Sequence, residues 1–263
     1  MASSNPYPFR LGTTSFIYPD GYVANVRALA PRVDEIELLI FEIANLPTRH
    51  QIRELAALAR DNETTFNVHL PLDISMADPS ADQRARSVDA VARTIERVAP
   101  LAPTTHTLHL TCASRRMDAR DLKAWQDRAT QSTARLLQTA AIASREISVE
   151  TLEFDPQWLA PVVSKLDLAV CIDVGHLILY GFDLATTLKE YAQRITIFHL
   201  HGVKQGRDHR AITHLAVDIQ RLMAKFLINF HGSLSIEVFS ANPLERSLEA
   251  MPAFMAHAGD KSG

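Results

Sequence analysis

The chain has 263 residues, of which 27 are basic and 30 are acidic, giving a net charge of −3. This balance argues against long nucleic acid as a partner, because a protein that grips phosphates needs a basic face. No apolar stretch approaches the roughly 20 residues that span a bilayer, and residues 1–9 lack the pattern of a signal peptide.

Short apolar runs alternate with longer amphipathic segments from one end of the chain to the other. Runs that are apolar almost throughout are typical of parallel strands covered by helices. In chain order they are residues 9–16, 33–41, 64–70, 105–111, 147–152, 168–173, 195–201 and 234–239. Apolar residues at helical spacing predict helices over residues 46–62, 80–98, 122–143, 184–193, 215–227 and 243–256.

This alternation predicts an α/β protein that folds as a (β/α)8 TIM barrel, in one domain spanning residues 1–263. Eight units in this length give roughly 33 residues per unit, which is the usual size for that fold. The alternative is an open, doubly wound parallel sheet. That fold normally carries a glycine-rich turn after its first strand, which residues 12–16 do not provide.

Histidines and carboxylates recur at the carboxyl ends of successive strands, where a TIM barrel gathers its reactive groups. Burying any one of them without a partner would cost several kcal/mol, so the whole set needs a common partner. A divalent cation supplies it, because imidazole and carboxylate are its natural ligands. The candidate ligands are His69, His109, Glu150, Asp173, His176, His199, His201, Asp208, His209 and Glu237.

Two questions stay open within this set. His199 and His201 are two residues apart on one strand, so both side chains point to the same side. Either one can be the metal ligand, while the other binds substrate or a second metal. Glu37 and Glu42, on the second strand, are open between a contact in the site and a salt bridge.

Other residues with reactive side chains are expected to carry no chemistry. His106 should face the helical layer, and the remaining histidines lie in predicted helices or turns: His50, His214, His231 and His257. Cys112 and Cys171 sit in apolar runs without the spacing of a metal or redox pair. This predicts a reduced, cytoplasmic protein. The oligomeric state is left open.

The order of these residues along the chain resembles the xylose isomerase-like TIM barrels, which include endonuclease IV. Sugar epimerases of that superfamily use four metal ligands, which the resemblance implies at Glu150, Asp173, one histidine of the seventh strand, and Glu237. The endonuclease IV type holds three zinc ions with a longer set, which adds the counterparts of His69, His109, His176, Asp208 and His209.

One departure from the endonuclease IV pattern bears on the number of metals. The DNA enzyme separates the Asp and His after its seventh strand by one residue, whereas Asp208 and His209 are adjacent. The resemblance therefore implies two or three zinc ions per chain, with manganese as the alternative.

A narrower resemblance comes from residues 11–19, 25–31, 33–42 and 199–209. These segments look like the cobamide-remodelling phosphodiesterases of the same superfamily, which cleave the nucleotide loop of vitamin B12-type corrinoids. The resemblance implies a metal-dependent hydrolase that acts on a phosphoester of a small molecule.

This interpretation gives each candidate residue a role. Metals at the strand ends would bind the phosphate oxygens and activate water, with Glu150 and Glu237 as catalytic residues that bridge the metals or orient the nucleophile. Arg207 as a catalytic residue and Lys204 as a substrate contact would neutralise phosphate charge, unless their loop is simply solvated. The residues expected to contact substrate are Lys204, Tyr18 and His201.

Two other functions compete with this one. A sugar isomerase or epimerase, acting on a sugar or sugar phosphate, would need one metal, with Glu150 and Glu237 moving a proton and His69 and His109 contacting substrate hydroxyls. A barrel that binds a ligand without turnover is the third possibility, and the nearly complete ligand set argues against it.

Overall fold

The protein is built on a closed barrel of parallel strands, as the sequence predicts. The computed structural model describes residues 5–259, so the first and last four residues of the predicted domain lie outside the described part. The strands are β1 (Arg10–Thr14), β2 (Glu35–Leu39), β3 (Thr65–His69), β4 (His106–Leu108), β5 (Ile147–Glu150), β6 (Ala169–Asp173), β7 (Ile195–Leu200), β8 (Gly202–Lys204), β9 (Arg207–Arg210) and β10 (Ser233–Ile236). The barrel runs β1-β10-β7-β6-β5-β4-β3-β2, which confirms the predicted (β/α)8 fold.

Helices surround this barrel. They are α1 (Tyr22–Leu29), α2 (Arg49–Asn62), α3 (Ala81–Val98), α4 (Ala119–Ala140), α5 (Ala160–Leu166), α6 (Val174–Tyr180), α7 (Leu184–Tyr191), α8 (Val217–Leu227) and α9 (Ala241–Ala256). The six predicted helices are present, as α2, α3, α4, α7, α8 and α9. The three that the sequence does not predict, α1, α5 and α6, have eight, seven and seven residues, which is too short for a clear helical period.

The apolar core lies between the barrel and its helices, whereas the inside of the barrel is polar at both ends. At the amino-terminal end, the fully buried Glu35 accepts hydrogen bonds from Arg10 (3.0 Å), Asn67 (2.8 Å) and Thr104 (2.8 Å). These partners satisfy the buried carboxylate, so Glu35 has a structural role at this end of the barrel. The candidate ligands lie at the carboxyl-terminal end.

A small hairpin follows β7 where the sequence predicts only a loop. Strands β8 and β9 pair antiparallel, with Lys204 opposite Arg207. The two residues between them, Gln205 and Gly206, have φ of 53° and 70°. Positive φ at both central positions is the type I′ turn that suits a two-residue hairpin. The hairpin carries Asp208 and His209 to the mouth of the barrel.

The lengths of the helices and the state of the two cysteines bear on the environment that the sequence predicts. Within residues 5–259, no helix is long and apolar enough to cross a membrane. Cys112 and Cys171 are both free thiols. Cys171 is buried on β6, and burial raises the pKa of its thiol.

Candidate metal centre

The predicted ligands converge at the carboxyl ends of the barrel strands in three groups. Site A consists of His69, His109 and Glu150, and site B of Glu150, Asp173, His199 and Glu237. In each group, the potential ligand atoms all lie within 4.8 Å of one another. A further group consists of His176, His201 and His209. Asp208 lies beside two of these histidines, and we call His176, Asp208 and His209 site C.

Site A places two imidazoles on one oxygen of Glu150. Oε2 lies 3.1 Å from His69 Nε2 and 2.8 Å from His109 Nε2. The other nitrogen of His69 donates its hydrogen to the carbonyl of Leu70 (3.0 Å), which leaves a lone pair on Nε2 in neutral imidazole. Burial lowers the pKa of His69, but the Glu150 carboxylate outweighs it and raises the pKa. A cation between the two groups would replace that proton.

Site B depends on a buried carboxylate behind His199. The ring donates Nε2–H to Glu37 Oε1 (2.9 Å), and the other oxygen of Glu37 accepts a hydrogen bond from Ser235 (2.6 Å). A carboxylate can only accept here, so in neutral imidazole Nδ1 of His199 keeps its lone pair. That nitrogen lies 3.4 Å from Glu150 Oε1 and 3.5 Å from Glu237 Oε2 and has no hydrogen-bond partner.

His201 has no free nitrogen to offer. Its Nδ1 accepts the backbone N–H of His209 at 3.0 Å, so this nitrogen carries no hydrogen. The carbonyl of Gly202 is farther from Nδ1, at 3.4 Å, and accepts no hydrogen bond from it. Its Nε2–H then donates to the carboxylate of Asp173, with Oδ2 at 3.3 Å. The geometry favours His199 as the ligand of site B. His201 is fully buried and positions Asp173, and its contact with substrate stays a prediction.

A glycine makes room for this buried imidazole. A Cβ at Gly175 would lie 1.9 Å from His201 Cε1, which is far inside van der Waals contact. Asp173 begins α6 and accepts the backbone N–H of His176 at 2.7 Å through its side chain. Residues 173–176 therefore supply two candidate ligands, Asp173 and His176. Between them, Gly175 leaves the space that the ring of His201 occupies.

Site C is possible because the backbone of β9 turns at His209. In a regular strand, adjacent side chains point to opposite faces. His209 has a φ of 50°, and this left-handed conformation brings both Asp208 and His209 towards His176. Asp208 Oδ2 lies 3.8 Å from His176 Nε2 and 3.9 Å from His209 Nε2. The side chains of Asp208 and His209 therefore lie on the same side of the hairpin, beside His176.

The electrostatics of the centre indicate cations. Burial and the neighbouring carboxylates raise the pKa of Glu237 to about 8, although His199 opposes this. Burial would raise the pKa of Glu150 as well, but His109 and His199 hold it well below its usual range. Buried atoms without a hydrogen-bond partner include His199 Nδ1, His176 Nδ1 and Glu237 Oε2. Divalent cations fit this donor set, since they would satisfy these atoms and offset the crowded carboxylates.

A family model described as "Xylose isomerase-like TIM barrel" matches residues 32–257. The match covers most of the chain. The chain belongs to the xylose isomerase-like TIM barrel family. No curated protein matches it.

Solved structures of the xylose isomerase-like fold agree with this assignment. A D-tagatose 3-epimerase-like protein shares 17% identity over 96% of this chain and 99% of its own, with a TM-score of 0.79. D-psicose 3-epimerase from Clostridium cellulolyticum H10 shares 16% identity over 95% and 99%, with a TM-score of 0.76. SacUVDE shares 9% identity over 94% and 98%, with a TM-score of 0.70. At these identities the likeness shows the fold alone, so activity has to be argued from the site.

Three predicted residues of this xylose isomerase-like chain lie elsewhere. Tyr18 packs partly buried against the core, and its hydroxyl interacts with Arg32. Lys204 and Arg207 line a separate cavity whose lining contains none of the metal-site residues. The predicted roles of Lys204 and Arg207 at the reacting phosphate stay predictions. Contact between Tyr18 and substrate stays a prediction.

Two further residues, Glu37 and Cys171, contribute to the centre without having been predicted to do so. Glu37 was left open, yet it fixes the tautomer of His199, and the available signal was two inward carboxylates, Glu35 and Glu37, in an apolar strand. Cys171 lies beside Glu150 and His199, where its protonated thiol packs under site B. His106 is buried beside the carbonyl of Glu146 at 3.3 Å and takes no part in the metal sites.

Proposed function

We propose that this chain is a metal-dependent phosphodiesterase that hydrolyses a phosphoester of a small molecule. One observation carries the proposal: Glu150 presents Oε2 to site A and Oε1 to site B. A carboxylate shared between two groups of ligands is the arrangement of a bridging ligand in a two-metal site. A one-metal enzyme would not need the residues of site A as metal ligands.

The residues that would hold the cations are those of sites A, B and C, giving two or three ions per chain. When bound, zinc would supply positive charge to the phosphate and make water reactive near neutral pH. Imidazole-rich donor sets favour zinc over magnesium or calcium, and manganese is the alternative.

The side chains of the centre have separate tasks in this reaction. Glu150 and Glu237 flank His199 Nδ1 at 3.4 and 3.5 Å and would orient the attacking water. Glu37 holds the tautomer of His199, and His201 holds Asp173. These buried contacts fix the ligands before substrate binds, which lowers the cost of organising the transition state.

An aromatic wall beside the centre supports a bulky substrate. Phe16 is 46% exposed and packs edge-on against Phe41, with ring centroids 4.9 Å apart. Phe41 contacts Phe239 (6.1 Å), whose ring lies 4.5 Å from that of His209. A ligand with a large apolar face would bury this surface next to site C. Together with the resemblance of residues 11–19 and 199–209, this supports the nucleotide loop of cobamides as the substrate.

A sugar isomerase or epimerase is the second candidate. Site B alone can hold one metal, with Glu150 and Glu237 on either side to move a proton. The structural likeness to a D-tagatose 3-epimerase-like protein and to D-psicose 3-epimerase favours this alternative. On that proposal, His69 and His109 contact substrate hydroxyls.

Two measurements discriminate between the candidates. Metal analysis of the purified protein is expected to give two or three tightly bound zinc ions for the phosphodiesterase, against a single exchangeable manganese for the epimerase. Metal-loaded protein is then incubated with adenosylcobalamin and the products are followed by mass. Release of the lower-ligand nucleoside or nucleotide supports the phosphodiesterase. An inert corrinoid, with turnover of D-tagatose or D-psicose instead, supports the epimerase.

The variant His109→Ala sharpens this comparison because His109 belongs to site A alone. The phosphodiesterase is expected to lose one metal per chain and more than about 100-fold in turnover, since direct ligands matter more than their outer-shell partners. An epimerase would keep its metal content. His50→Ala, on the exposed surface of α2, is the matched control and should change neither quantity.

A further inference from the structure

A cavity lies between the β8–β9 hairpin and the start of α9. Its volume is about 560 Å³, and its cationic lining residues are Lys204, Arg207, Arg210 and Arg246. His214 also lines it. No carboxylate lines it. A volume of this size matches that of sites for small molecules.

The positive charges in this cavity are not neutralised by the protein. Over residues 5–259, none of the four lysine and arginine side chains forms an ion pair, and Arg246 donates instead to the hydroxyl of Thr213 at 3.1 Å. Some other surface arginines do have a carboxylate partner, as Arg32 has in Glu245 and Arg194 in Asp167. Like charges held together without a counterion repel one another, so the arrangement is suited to an anion.

Two neighbouring groups are consistent with a positive electrostatic potential in the cavity. Burial lowers the pKa of His214, and the charges of Lys204, Arg246 and Arg210 lower it further. Asn242, in the first turn of the 16-residue α9, also lines the cavity, and the helix has no side-chain cap at Ser240. Its first N–H groups therefore add partial positive charge to that of the four cations.

We propose that this cavity binds a phosphorylated small molecule, distinct from the one cut at the metal centre. Arginine guanidinium groups are suited to phosphate because their planar donors pair with two oxygens at once. The two sites share the hairpin but not its side chains: Asp208 and His209 belong to site C, whereas Arg207 and Arg210 line the cavity. The proposal does not depend on the phosphodiesterase activity.

The test is calorimetric titration with inorganic pyrophosphate, using metal-loaded protein and protein stripped with a chelator and dialysed. Binding is expected in both forms. Arg207→Ala and Arg246→Ala, which alter exposed side chains, should each weaken it about tenfold, because a charge-assisted hydrogen bond is lost. Arg53→Ala, an exposed arginine on α2, is the matched control and should leave binding unchanged.

Three outcomes would overturn the proposal. Pyrophosphate that does not bind at all shows that the cavity is not an anion site. Binding that disappears on chelation yet resists both arginine substitutions places the anion at the metals. Binding that survives chelation and both substitutions places it somewhere else on the surface.

Discussion

The decisive residue-scale feature is the hydrogen bond from His199 to Glu37, because it leaves Nδ1 free to bind a cation. In Glu37→Gln, the amide can donate to Nε2 and drive the hydrogen onto Nδ1. The affinity for zinc is expected to fall about 10- to 100-fold, the usual effect of losing an outer-shell partner. Competition against a chromogenic chelator measures it. Glu42→Gln, on an exposed residue of the same segment, is the control, and equal affinities in both variants would contradict the role of Glu37.

Gly175 is a second position where one atom decides the geometry. Gly175→Ala would place a Cβ 1.9 Å from His201 Cε1, so the ring must move and its hydrogen bond to Asp173 breaks. We expect the free energy of unfolding to fall by about 1–3 kcal/mol, as for overpacked cores. Denaturant titration measures it. At Gly21 an added Cβ meets nothing within 4 Å, so Gly21→Ala should be nearly neutral. Equal losses in both variants would show that His201 has room to move.

Residue identity was largely accessible from the sequence, and hydrogen-bond geometry was not. The chain pattern placed Glu150 and Asp173 at strand ends, because inward positions recur every second residue. The choice between His199 and His201 depends on which ring nitrogen is engaged. The partner of His199 is Glu37, which lies on β2, far from β7 in the sequence. The partner of His201 is the backbone N–H of His209, which lies on the hairpin outside the barrel.

At the scale of elements, long periodic segments were predicted well and short ones were missed. Helices such as α3, with 18 residues, show several turns of apolar periodicity, whereas α6 has seven residues and depends on the cap from Asp173. The sequence predicts a loop in place of the β8–β9 hairpin because these strands have only three and four residues and lie outside the barrel. The one indication of a turn in the sequence is Gly206, because glycine readily adopts positive φ. The preceding residue, Gln205, also has positive φ in the structure.

The hairpin turn gives a prediction about site C alone. Gly206 has a φ of 70°, which a β-branched residue rarely adopts, so Gly206→Val should distort the turn. The distortion should reach Asp208 and His209, and the metal content should fall by one ion per chain while sites A and B remain filled. Metal stoichiometry by mass spectrometry measures this. Gln205→Asn is the matched control, because asparagine tolerates the left-handed region. A full metal complement in Gly206→Val would show that site C does not need the hairpin.

At the scale of the whole molecule, the charges of the metal-free centre link stability to pH. The pKa of Glu237 is raised to about 8 by burial and by neighbouring carboxylates. The pKa of His176 is raised to about 10, because Asp173 outweighs the opposing effect of burial. A raised pKa in the folded state stabilises the protein at low pH, and this contribution is lost as the pH rises through the folded value.

Metal-free protein should therefore lose stability steadily as the pH rises from about 4.5 to about 8, the interval in which the folded protein still holds the proton on Glu237 that the unfolded chain has released. His176 extends the loss to about pH 10 in the same way, and the buried carboxylates repel one another once the proton on Glu237 has left. Zinc replaces those protons, so the zinc-loaded protein should stay level over the same range, and the difference in Tm should widen with pH. Thermal unfolding of both forms measures it. In Glu237→Gln that titration is absent, and the metal-free curve should be flatter. A difference in Tm that is constant with pH would mean that cations do not take the place of protons in this centre.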